Sequence, residues 1–573
     1  LALKVAADKP VVSPHALIGI AAVSLAAVNS SLGSGLLGSG IADLRGVWGL
    51  GIDDAAYIPT AFSAAQMFMG SLSVMLAARF GHRNILLTAG VIYILVSLFL
   101  PFAPHKVPIL FFTVLAGLSS GTFYPLCLSF ISRNLPVALV PFGIAAYNFD
   151  LLVTNHIVQS MEGFFIDHAG WQWIFWSQAI LALPMLVCVR IGIPQTPKDQ
   201  LLPRFRYNGI LYFSAALTLF YIALDQGERL DWFNNGLING LCISGTLLLV
   251  ATVISRLRDP NPYLDFSYVW TRNVLLLGLI LMLFRVMLLR IGFLIPVFLE
   301  RLHQYRSTDI GWLFLLSVVP FVIALPTIAH FLRKIHVRPA LIAGFVILAL
   351  CNFHDAHALS TWTRLDFIPA QMVGVFGICL IAMGTMCGVV FQGRLSGAYR
   401  VREGAYAQGA FFQAVRIFGS QASTSGMKRF VIVREHFWQT KLVSTLSSGT
   451  LGDADSAKLA TALAPQSAGP GLAAGVAQGL IDKRVPTESF TLATDDGFML
   501  LAWISVIALV AVALMKHIPL PRELPAADAT PKPPPDPTIV PSPKSSPKPS
   551  PEPSPQPSPE PSPQPSSTTD KVD

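Results

Sequence analysis

Residues Tyr147 to Trp176 read YNFDLLVTNHIVQSMEGFFIDHAGWQWIFW. The stretch scans as one apolar helix, a short turn and the aromatic start of the next helix. Unlike its neighbours, which are nearly pure Leu, Ile, Val, Phe, Ala and Gly, the first helix carries Asn148, Asp150, Asn155, His156, Gln159 and Glu162. Asn148, Asn155 and Glu162 are spaced by sevens, which drift about 20° per step on a helix, and Gln159 falls on the same side. Ionisable groups at membrane depth are costly and tend to line a cavity or pathway rather than face lipid. The stripe therefore marks a pathway, and the rest of the chain reads as its scaffold.

That scaffold is a membrane protein. The 573 residues are 53% hydrophobic and 13% charged, with a mean hydropathy of +0.58, whereas soluble domains carry roughly 25% charged residues. Apolar runs of about 20 residues, enough to cross a bilayer, recur from Ala16 to Met515. The net charge of +8 does not imply nucleic acid, because the basic residues sit in short loops between apolar runs. The six cysteines form no C-x-x-C pair, which argues against a disulfide framework or zinc site. No cleavable signal peptide is evident, and the first apolar segment reads as the first span.

In order, the runs give fourteen predicted spans. Helix 1 starts near Ala16 and contains LGSGLLGSG, Leu32–Gly40, whose small residues let a neighbour approach closely. Helices 2 to 4 run from about Tyr57 to the basic turn LAARFGHR, from Ile85 to Phe102 and from Ile109 to Ile131. Helix 5 is the opening stretch and helix 6 follows from Trp173. Helix 7 ends in LDQGERLDW, polar enough for an outside loop, and helix 8 covers Leu237 to Ile254. Helices 9 to 13 run to about Gly426, and helix 14 covers Gly497 to Met515. The intervening Lys428 to Asp495 is rich in small residues and breaks, with nothing long enough to span. The predicted organisation is a terminal segment, 1–15; a six-helix bundle, 16–195; a linker with two extra helices, 196–260; a second six-helix bundle, 261–520, including a long periplasmic loop, 428–495; and a Pro/Ser-rich tail, 521–573, that cannot bury a core. Lys and Arg crowd the loops on the N-terminal side (Arg79, Arg83, Arg133, Arg333, Lys334 and others), so both termini are expected to be cytoplasmic.

Several landmarks resemble the fourteen-helix drug:proton antiporter branch of the major facilitator superfamily, over nearly all of Ala16 to Met515. LAARFGHRNILL resembles the family's loop between helices 2 and 3, with Arg79, Gly81 and Arg83 kept as the conformational-switch residues. GFFIDHAGWQWIFW resembles its helix 5–6 junction, LDQG and PVFLE the ends of helices 7 and 9, and AQGAFFQAVRIFGS the helix 13 pattern with Arg416. The resemblance implies an all-α membrane fold of two six-helix bundles plus two central helices. It implies a secondary transporter working by alternating access, most simply proton-coupled efflux of a small organic compound or drug. No cofactor beyond the proton gradient is implied. The implied partners are a small-molecule substrate and the lipid bilayer, with an adaptor protein and an outer-membrane channel also raised; location in a bacterial inner membrane follows.

The chain departs from the family's pattern in places. The loop pattern has Val74, Ala78 and His82 where Gly, Asp and Arg are expected. The helix 5 motif G-P-x-x-G-G reads Val158–Gly163 and keeps only its last Gly. Helix 1's acid falls on Ser30, and helix 4's Arg on Thr113. Uptake or uniport of an anionic metabolite, and a non-transporting sensor or assembly protein of the same fold, therefore stand as alternatives.

Asp150 or Glu162 is then the candidate proton acceptor, with His156 either a relay or a structural hydrogen-bonding residue; Glu162 also fits an outer gate. Arg285 lies about 20 Å along helix 9, near mid-membrane. It is expected either to pair with Asp150 or Glu162 or to contact an anionic substrate. Arg290, five residues on, cannot share its face. Arg416 is expected to bridge the halves or contact substrate. His354, Asp355 and His357 read as a solvated loop rather than a metal site. No phosphate-binding loop or catalytic constellation is visible, so the chain is not expected to be an enzyme.

Overall fold

The computed structural model describes residues 14–195, 208–258, 270–395, 402–447, 458 and 470–518. The basic linker around Lys198, Arg204 and Arg206 and the Pro/Ser-rich tail lie outside the described residues.

With no water at membrane depth to satisfy backbone N–H and C=O groups, apolar runs of this length must close their hydrogen bonds internally, as helices. The described residues are helical accordingly. We label the long segments α1 (Pro14–Ser39), α2 (Ile52–Phe80), α3 (His82–Phe99), α4 (Lys106–Gly121 and Phe123–Asn134, joined at Thr122), α5 (Val140–Phe164), α6 (Trp173–Gly192), α7 (Asn208–Gly227) and α8 (Gly236–Arg258). Then come α9 (Arg272–Met287, a π-helical turn Arg290–Leu294, and Ile295–His303), α10 (Ser307–Leu332), α11 (Val337–Asp355), α12 (Ile368–Leu395), α13 (Arg402–Ser447) and α14 (Pro470–Ala513). Twelve helices among the described residues are long and apolar enough to cross a membrane. The two outside that group are α5 and α13, the helices richest in polar residues.

Helices α1–α6 pack among themselves, as do α9–α14. The halves meet chiefly where α5 lies on α10 and α12, and where α2 and the second segment of α4 lie on α13. Helix α7 wedges between α2 and α13, and α8 packs on α7, leaving Leu247, Val250 and Val253 exposed where lipid would cover them. The expected small-residue packing in α1 is present: a Cβ on Gly35 would lie 2.8 Å from Val158 of α5.

Two expectations need correction and one gains detail. Lys428–Asp495 was expected as a loop, but α13 continues to Ser447 and α14 begins at Pro470. The segment's charges pair with neighbouring helices. Arg434 and Trp438 both donate to Asp496, each at 2.6 Å, and Arg301 pairs with Glu435. The end of α7, read as an outside loop, is a polar clasp. Asp225 accepts from Thr60 of α2 and from Gln421 of α13, the latter at 2.7 Å, while Arg229 and Glu228 pair with Asp53 and Arg429. Asp355, read as solvated, is fully buried.

Candidate functional site

A cavity of about 780 Å³ lies between the halves. Its walls come from α1 (Ser31, Ser34, Gly35), α2 (Ser63, Gln66), α5 (His156, Gln159), α7 (Tyr221), α9 (Arg285 to Glu300) and α13 (Arg416 to Lys428). By chain position it runs from mid-helix residues such as Ser31 and Arg285 toward the face opposite Pro14, where Ala42, Glu300 and Lys428 line it. Past Arg285, the α9 wall is apolar, with Leu288, Ile291, Phe293 and Val297.

Behind the cavity-lining Ser31 lies Asp150, fully buried. Its carboxylate accepts from Ser31 of α1 at 3.0 Å and from Thr154 of its own helix at 2.9 Å. It makes no ion pair within 4 Å among the described residues. The Ser31 hydroxyl is also 2.6 Å from that of Tyr124, and the Arg416 guanidinium lies 3.7 Å from the centre of the Tyr124 ring. Such a cation over a desolvated aromatic face is worth about 2 kcal/mol. Acid, hydroxyls, ring and cation thus form one continuous group bridging α1, α4 and α5 to α13.

Arg285 lines the same cavity and is 7% exposed. Its Nε is buried without a hydrogen-bond partner among the described residues. The structure does not form the expected contact pair between Arg285 and Asp150 or Glu162; Arg285 feels Asp150, Tyr147 and Arg416 only through space. Arg290 does point elsewhere. Its Nε donates to Asp355 at 2.7 Å and its Nη1 to Gln371 at 2.8 Å, with the two charged groups 1% and 0% exposed. Gln371 in turn lies 3.3 Å from Nε2 of His156.

The stripe on α5 divides by depth. His156 and Gln159 line the cavity, Asn148 donates to Met383 of α12 at 3.7 Å, and the Asn155 side chain lies outside the described residues. Glu162 is buried at the end of α5, with Oε2 lacking a partner among the described residues. It sits beside a close approach of the halves: a Cβ on Gly163 would lie 2.2 Å from Thr308, and one on Gly311 2.4 Å from Ser160. At the Pro14 end, Arg394 donates to the Leu135 carbonyl at 2.9 Å.

In the α2–α3 turn, Gly81 has φ +88°, a conformation L side chains rarely adopt. Arg79 and Arg83 flank it, Arg79 lying over the Phe80 ring. His82, standing where the family has Arg, contacts Ser129 of α4 at 3.1 Å.

Sequence reading missed Ser31, Tyr124 and Gln371, and gave Asp225 and Asp355 no part in the site. Gln371 and Asp225 are polar residues in otherwise apolar helices, a signal that was available. Ser31 lay hidden in a small-residue run read as packing.

Residues 23–420 match the model of the Major Facilitator Superfamily. The chain belongs to the Major Facilitator Superfamily. It is a multi-pass membrane protein of a transporter family rather than an enzyme. Its relatives include the probable multidrug resistance protein EmrY of Escherichia coli, 24% identical over 61% of this chain and 66% of that protein. The multidrug export protein EmrB of the same organism is 24% identical over 64% of this chain and 70% of that protein. The fatty acid resistance protein FarB of Neisseria gonorrhoeae is 23% identical over 58% and 64%. These alignments take in about two thirds of the relatives' lengths. The structure of the proton:xylose symporter XylE matches with a TM-score of 0.54 at 12% identity, covering 88% of this chain and 96% of XylE, which shows the shared superfamily fold.

Proposed function

We propose that this chain is a secondary exporter of small organic anions, driven by the proton gradient, with all fourteen long helices crossing the membrane and both termini cytoplasmic. The observation that carries the reading is Arg285, a buried cavity-lining guanidinium whose Nε has no partner among the described residues. A buried cation is costly unless something pairs with it, and a carboxylate or similar group of the substrate is the natural partner. The apolar α9 wall beside it suits a hydrophobic body, and the relationship to the fatty acid resistance protein FarB points the same way.

Asp150 is the proton carrier of this reading. Ser31, which binds it, stands next to Ser30, where the family's helix 1 acid is expected. The acid has in effect moved from α1 to α5, and this supports proton coupling despite the altered helix 5 motif. Proton and substrate then act on one electrostatic cluster, formed by Asp150, Arg285 and Arg416. Alternating access exposes that cluster to each side in turn. No cofactor is called for. The helical extension of α13 and α14 is the surface that an adaptor protein and outer-membrane channel would use.

The test is gradient-driven uptake into everted vesicles of a medium-chain fatty acid against a lipophilic cation of similar size. Arg285→Gln is expected to raise KM for the anion at least about tenfold, the value of a charge-assisted hydrogen bond, and to leave cation uptake unchanged. Asp150→Asn is expected to abolish gradient-driven uptake. Unchanged uptake of every anionic candidate by Arg285→Gln would overturn the substrate assignment.

A further inference from the structure

The polar chain from the cavity into the second half carries a consequence of its own. Arginine has donors only, so the Nη1 contact of Arg290 at 2.8 Å fixes the Gln371 carbonyl oxygen on that side. The Gln371 NH2 group must then face His156, 3.3 Å away. An NH2 group can only donate, so Nε2 of His156 must bear the lone pair. The contact is possible with His156 neutral and is lost when Nε2 carries a proton, because two donors would then face each other.

The Gln371 position is itself held. Arg290 is pinned by Asp355 at 2.7 Å, and its Nη1 fits because residue 374, one turn past Gln371, is glycine: a Cβ there would lie 3.1 Å from Nη1. His156 belongs to α5 of the first half, yet it sits among residues of the second. Besides Gln371 of α12 it meets Phe314 and Phe321 of α10, with ring centres 5.7 Å and 4.7 Å away. It also lines the cavity.

We infer that His156 and Gln371 form a proton-released latch between the two halves, aimed by the Arg290–Asp355 pair. Gln371, Arg290 and Asp355 are positioning residues in it. A proton arriving at Nε2 from the cavity breaks the His156–Gln371 bond and frees the ends of α5 and α12 to separate. Among the described residues, the charged groups that line the cavity with His156 are Arg285 and Glu300 on α9 and Arg416 and Lys428 on α13; Arg290 and, behind it, Asp355 reach His156 through Gln371, and from α10 Phe314 and Phe321 pack on its ring. Arg290 blocks onward proton transfer, so the chain is a latch and not a second proton route.

The latch requires only that the two bundles move, so its test is independent of substrate and direction. Spin labels are placed at His168 and Leu365, exposed positions of the two halves on the face opposite Pro14. They are introduced as cysteines into the full chain, with Cys188 and Cys242 replaced by Ser, and distances are measured in lipid nanodiscs at pH 8 and pH 5.5. The parent is expected to gain a longer-distance population at pH 5.5. Gln371→Leu should raise that population at pH 8 by about fivefold, the weight of one net hydrogen bond, and remove the pH response. His156→Gln, which keeps a non-titrating acceptor, should hold the short distance at both pH values. A pH response that survives in Gln371→Leu or in His156→Gln overturns the latch.

Discussion

Replacing Asp355 by leucine removes one partner of a buried ion pair and strands the other. Arg290 would keep Gln371 at 2.8 Å on Nη1 but lose the carboxylate 2.7 Å from Nε, and its Nη2 already has no partner among the described residues. With the two groups 1% and 0% exposed, water cannot replace the lost charge. Breaking a pair at this burial costs about 3–5 kcal/mol. The double variant Arg290→Met with Asp355→Leu removes both charges along with both desolvation penalties, and pairs replaced by apolar groups of similar volume are often near neutral. The double variant should therefore be more stable than Asp355→Leu by about 2 kcal/mol or more, a coupling read from a double-mutant cycle. The assay is a reversible SDS-unfolding titration of the purified chain, with all four members of the cycle compared in the same micelles. An Asp355→Leu cost below about 1 kcal/mol, or a double-variant cost equal to the sum of the singles, would refute the claim that the pair is buried and coupled.

Two further outcomes follow from backbone geometry. Gly81→Ala places a Cβ on a residue with φ +88°, costing about 1–3 kcal/mol; it should lower the SDS-unfolding free energy by that amount, whereas Gly46→Ala, with open space around it, should not. Gly163→Val puts a branched side chain where even a Cβ meets Thr308 at 2.2 Å. It should keep α5 and α10 apart, seen as faster labelling of a cysteine introduced at Ser160.

Membership of the fold was legible from the chain alone because its physics is one-dimensional. A bilayer forces each apolar run of the right length into a helix, so length, hydropathy and loop charge gave the helices nearly to their ends. The exceptions are instructive. The 428–495 region was misread because its helices gain stability from pairs such as Arg434 with Asp496, which join residues 62 apart in sequence and leave no local period. The polar stripe on α5 was visible because charge in an apolar run is conspicuous wherever it faces.

What the sequence could not assign was pairing. Arg285 and Arg290 are five residues apart and chemically identical, yet one lines a cavity with an unpartnered Nε while the other is locked to Asp355. Their roles are set by what α11, α12 and α13 bring to them from 65 or more residues away. Likewise Ser31 gains its meaning only when α1 meets α5 and its hydroxyl reaches Asp150. The sequence by itself determined that the chain crosses a membrane, where its helices run and which of them are polar. The tertiary structure alone decided which buried charges are neutralised within the protein and which are left facing the cavity, because desolvation and pairing depend on distances between helices that no local pattern encodes.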